Sequence, residues 1–134
     1  MKNGDVAALV RYRIEQAETA LDDARFLLVG NRGPLSIINR AYYAMFYAAL
    51  GLLQAAGKVP TKHSGVTALF DTEFVMKGVF PKELSRDFHW AFEMRQKSDY
   101  RVAEPATSER AADLVARAER FVAALREYLQ REQD

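Results

Sequence analysis

Between Ser36 and Gly57 the chain reads SIINRAYYAMFYAALGLLQAAG, and a helix built from this stretch has no side left for water. At about 100° per residue its positions sort into three stripes. Ile38, Tyr42, Met45, Phe46, Ala49, Leu52 and Leu53 form an apolar face. Ala41, Ala44, Ala48, Gly51 and Ala55 form a stripe of small residues where a neighbouring helix can come close. Ser36, Asn39, Arg40, Tyr43, Tyr47 and Gln54 share the remaining arc, and Arg40 is the only charge in the segment. Such a helix belongs at the centre of its fold. Its third stripe is either a polar core network or one wall of a site.

The rest of the pattern supplies that centre with neighbours. Asp5 to Val29 carries apolar residues in a sustained three-four rhythm, including Val10, Ile14, Ala17, Leu21, Ala24 and Leu28, which predicts a long amphipathic helix with Asp5 as its N-cap. Gly30 to Gly33 interrupts it, and Pro34 occupies the favoured first position of the central helix. Thr61 can cap a third helix from Lys62 to about Met76, with Val66, Leu69, Phe70, Phe74 and Val75 inward, ended by Gly78. Pro81 opens a fourth helix to about Ser98. Beyond a loop carrying Pro105, Thr107 or Ser108 caps a fifth, with Leu114, Val115, Phe121, Val122, Leu125 and Leu129 on one face. Short turns between helices of similar length predict an all-α, antiparallel up-and-down bundle of about five helices, read as one domain over residues 1–134.

Composition narrows what such a bundle does. The 134 residues are 49% hydrophobic, enough for one packed core and too apolar for a disordered chain. A net charge of +1 leaves no molecule-wide field to recruit nucleic acid, so anion binding must come from a local patch. Cysteine is absent, which removes disulfides and thiolate ligands and fits the cytoplasm. No window approaches the roughly 18 uninterrupted apolar residues of a membrane span. His63 and His89 lie on separate predicted elements and make no metal site; no metal or other cofactor is expected.

The fourth helix holds the informative anomaly. Leu84, Phe88, Ala91 and Phe92 define an inward stripe that continues onto Arg95 and then Asp99. A guanidinium keeps its charge, so one on a core face must be paired or open onto a cavity. Asp99, one turn on, can close a structural ion pair. Alternatively Arg95, Asp99 and Tyr100 converge with the polar arc of the central helix. Lys62 and His63, at a helix start, are candidates to join them around an anion. Trp90 and Met94 fall on a flank of the same helix, there to meet a partner protein or to be covered by the fifth helix.

Three segments in this order, SIINRAYYAMFYA (Ser36 to Ala48), KHSGV (Lys62 to Val66) and RQKSDY (Arg95 to Tyr100), resemble the HEPN domain, the higher eukaryote and prokaryote nucleotide-binding family, in its small stand-alone prokaryotic branch. The resemblance covers about residues 5 to 130. It implies a helical bundle that dimerises, and members are often paired with a minimal nucleotidyltransferase in toxin–antitoxin systems. Many members are metal-independent ribonucleases with an Arg, four to six residues, and a His. Arg95 fits the arginine, but Tyr100, Arg101 and Val102 stand where the histidine is expected. Tyrosine, with an ordinary pKa of about 10, is a poor proton carrier at neutral pH.

The resulting expectation is a module for a nucleotide or RNA phosphate, non-catalytic or regulatory, with Asn39, Arg40, Tyr43, Tyr47, Lys62, His63, Arg95, Asp99 and Tyr100 around the ligand. The alternatives are a ribonuclease using Arg95 with His63 or Tyr100 for proton transfer, and a purely structural interaction bundle.

Overall fold

A computed structural model of the chain describes residues 3–100 and 106–133; of these, the side chains of residues 3, 97–100 and 133 fall outside the description. It contains helices α1 (Asn3–Val29), α2 (Pro34–Ala55), α3 (His63–Phe70), α4 (Lys82–Tyr100) and α5 (Ser108–Gln133), with a π-helical turn, Asp71–Val75, continuing α3. The protein is all-α, and the described residues contain no strand.

Contacts along the helices give their directions. Arg25 meets Glu119 and Glu18 meets Arg126, so α1 and α5 run antiparallel. Gln54 reaches Arg13 at one end of α2, while Arg40 lies beside Ala20 and Asp23 at the other, so α2 also opposes α1. Phe88 packs on Phe121, and Phe80, just ahead of α4, packs on Tyr128, which sets α4 antiparallel to α5. The four long helices therefore alternate in direction, with α3 inserted between α2 and α4.

α2 is the centre that its pattern demands. Ile38, Tyr42, Met45, Leu52 and Leu53 are buried, and so are Ala41, Ala44, Ala48 and Gly51 of the small stripe; Ala55, at the end, is exposed. The small stripe lets α1 come close. A Cβ added to Gly51 would stand 3.0 Å from the Arg13 Cβ, and Ala17, Ala20 and Ala24 of α1 are themselves buried. Proline leads α2 as its fixed φ predicts, and Thr107 caps α5 through its Oγ1, which accepts from the Arg110 N–H at 3.1 Å.

Four expectations about the elements are corrected. α1 starts at Asn3, so Asp5 sits in its first turn rather than at its cap. Lys62, not Thr61, precedes α3, and no side chain caps that end. The third helix does not run regularly to Met76. It turns π-helical at Asp71, which holds the segment against α4 through Ser85 Oγ, donating to Asp71 Oδ1 at 2.7 Å, and His89 Nε2, 2.5 Å from Oδ2. Finally, α4 begins after Pro81 at Lys82 and reaches Tyr100, past the expected end at Ser98.

Candidate functional site

Arg95 sits on α4 where its inward stripe predicts, pointing at α2. Its Cζ lies 5.4 Å from the centre of the Tyr42 ring and 5.1 Å from that of Tyr43. Aromatic faces attract a cation, which is why a guanidinium is tolerated there. No carboxylate stands within ion-pair distance of Arg95 among the described residues. Among the described residues its buried Nε has no hydrogen-bond partner. A buried, unmatched donor on a charged group costs stability, so its persistence marks a place where something other than the core sets the side chain.

His63 joins it from the start of α3. Its ring lies 4.3 Å from Phe46, 5.9 Å from Tyr43 and 6.4 Å from Tyr42, the same tyrosines that carry Arg95. The residue is largely exposed, yet Phe46 covers one side of the imidazole. That partial burial, and then the charge of Arg95, hold His63 below the ordinary histidine value. It is therefore mostly neutral at pH 7, with a nitrogen free to accept a proton.

Spacing puts Tyr42 on the apolar face, and it is fully buried there, but its hydroxyl finds no partner among the described residues. Burial raises its pKa well above the usual phenol value, with Arg95 opposing the shift. The signal in the sequence was the Tyr42–Tyr43 tandem, which straddles two stripes and so brings a hydroxyl into each.

The polar arc of α2 divides. Tyr43 faces Arg95, and the Arg40 Cζ also stands 5.4 Å from the centre of the Tyr43 ring, while Arg40 Nη2 donates to Asn39 Oδ1 at 3.1 Å. Tyr47 touches Tyr43 but also lines, with Arg40, a cleft of about 300 Å³ against α1 that includes Tyr12, Glu15 and Asp23. Gln54 is drawn to Arg13 instead, and Lys62 is exposed next to His63. The expected contributions of Asp99 and Tyr100 lie outside the described side chains.

Residues 10–128 match the HEPN domain family. The chain belongs to that family. A UPF0332 protein of Thermotoga maritima is 38% identical to this HEPN chain over 91% of its length and 92% of the relative's. The Methanocaldococcus jannaschii protein named "Putative toxin MJ0605" is 34% identical, covering 90% of this chain and 88% of its own. A second protein of that archaeon, also named as a toxin, is 31% identical over 87% of this chain.

The flank of the HEPN bundle carrying Trp90 and Met94 is partly covered by α5, and Trp90 stays half-buried. Met94 is buried, and Arg117 of α5 lies over the Trp90 ring at 4.4 Å. The same arginine pairs with Asp87 at 3.0 Å, a buried carboxylate on α4 that the sequence pattern does not single out. No group of residues suited to a metal ion occurs among those described, and no described helix is long and apolar enough to cross a membrane.

Proposed function

We propose that this chain is a toxin-like module of the HEPN family that binds a nucleotide or RNA phosphate at Arg95, with His63 and Tyr43 beside it. The observation that carries the reading is Arg95 itself, a partly buried guanidinium held by two tyrosine rings with no carboxylate paired to it among the described residues. Arginine's planar fork suits a phosphate, and a tyrosine offers a base a stacking surface. The toxin names of two relatives support the same class. Pairing with a second copy of the chain and with a minimal nucleotidyltransferase is part of the proposal, and rests on the family resemblance. Calorimetric titration with nucleotides and short RNA tests it: binding is expected, and is lost in Arg95→Ala. Absence of heat with every ligand refutes it.

A second reading is favoured by the placement of His63. A neutral imidazole near Arg95 can remove the proton from a ribose 2′-hydroxyl, whose oxygen then attacks the adjacent phosphorus while Arg95 stabilises the developing charge. The 5′-oxygen leaves as a hydroxyl, taking its proton from water or from the now protonated His63, and a 2′,3′-cyclic phosphate results. Intact total RNA after incubation at high protein concentration from about pH 5 to 9, a window that brackets the histidine value, rules this out.

A further inference from the structure

Arg40 and Arg95 come from different helices, yet both guanidiniums stand against one ring, that of Tyr43, at 5.4 and 5.1 Å from its centre. Laid end to end these distances put the two charges no more than about 10.5 Å apart. Three other arginines that reach across helices meet acids, Arg25 with Glu119, Arg117 with Asp87 and Arg126 with Glu18, and Arg13 meets the Gln54 amide. Here, among the described residues, neither arginine meets an acid: Arg40 bonds only the neutral Asn39 side chain, and Arg95 Nε is buried with nothing to bond. Two like charges this close repel, and part-buried ones are screened little by salt.

We propose that Arg40 and Arg95 form a two-phosphate clamp, taking a ligand with two phosphates in series, one at each guanidinium across Tyr43. The inference rests on the nucleotide reading above and adds the ligand's class. Glu15 and Asp23 line the α1 side of the cleft beside Arg40, so a phosphate is repelled from that side. The path left for the ligand runs from Arg40 over Tyr43 towards α4. Two linked phosphates occur in a nucleoside diphosphate and in a polynucleotide strand, and the same arginine geometry serves either.

Calorimetry with AMP, ADP and a short oligoadenylate separates these cases. For the unaltered protein, ADP or the oligoadenylate, or both, bind at least about tenfold more tightly than AMP, the gain from one added charge-assisted contact. Whichever gains the advantage identifies the source. Arg40→Gln erases that advantage, weakening ADP or the oligoadenylate at least about tenfold more than it weakens AMP, and it lowers the salt dependence of oligoadenylate binding by about 0.7 in log–log slope. Equal affinity for all three ligands, or an Arg40→Gln protein that weakens AMP as much as the others, overturns the clamp while leaving the nucleotide reading standing. Loss of heat with every ligand, or an Arg95→Gln protein that binds them all normally, overturns both. If circular dichroism shows Arg40→Gln unfolded, Arg40→Lys replaces it: the lysine keeps the charge, loses the fork and retains part of the advantage, and full retention overturns the clamp.

Discussion

Replacing Tyr42 by phenylalanine is expected to stabilise this protein. The ring is fully buried and keeps its neighbours in the variant: Tyr43 at 5.1 Å, Phe46 and Phe92 at 6.0 Å and Phe88 at 6.4 Å. What is lost is a hydroxyl with no hydrogen-bond partner among the described residues. An orphaned buried group costs about 1–3 kcal/mol, and the void left by one oxygen returns part of that. The net gain is about 1 kcal/mol, or roughly 3–5 °C in Tm for a domain of this size. Urea unfolding followed by circular dichroism measures it, and an unchanged m-value shows that stability changed while the surface exposed on unfolding did not. A second arm uses pH. Burial raises the Tyr42 pKa in the folded protein, so between the unfolded value near 10 and the higher folded one the unfolded chain holds fewer protons. The contribution of Tyr42 is fully present below about pH 10 and lost above it. Tyr42→Phe therefore keeps more of its stability at alkaline pH. A variant destabilised by 1 kcal/mol or more shows instead that the hydroxyl is bonded, and the reasoning falls.

Other perturbations test separate parts of the fold. Gly51→Leu forces a side chain into a space where even a Cβ is 3.0 Å from Arg13, and is expected to cost about 1–3 kcal/mol by urea titration. Arg117→Met strips the partner from the buried Asp87 carboxylate and uncovers Trp90; with Arg117 about a third exposed, a loss of about 2 kcal/mol is expected, and less when Asp87→Asn is already present. An NMR titration of His63 has its midpoint below 6.5, and Arg95→Gln moves it upward. The neutral imidazole contributes stability above that value, lost as pH falls through the folded midpoint.

Periodicity made the central helix legible because burial on every side leaves its mark at each position, and the proline before α2 and the threonine before α5 act locally. Arg95 was legible for the same reason, a charge continuing a row of phenylalanines. The π turn was not: five residues wound more loosely keep the apolar count of a regular helix, and the reason for the turn, Asp71 reaching Ser85 and His89, spans elements. The polar arc of α2 read as one surface because an ideal helix wheel ignores neighbours. In the fold α1 takes Gln54 and part of Tyr47, while α4 takes Tyr43. Asp87 went unseen because its partner lies thirty residues away on α5. The sequence marks His63 as a candidate, but only the packing of α3 on α2 brings it to the tyrosines that carry Arg95.

Because every other helix rests on α2, none of them can peel away without wetting it. Partial opening of the bundle thus costs nearly as much as complete unfolding, and the amides of α2 should exchange with deuterium last, at a rate set by the global equilibrium. The termini of α1 and α5 will trade their protons long before, and a protease admitted by such fraying would find the middle of the molecule still closed.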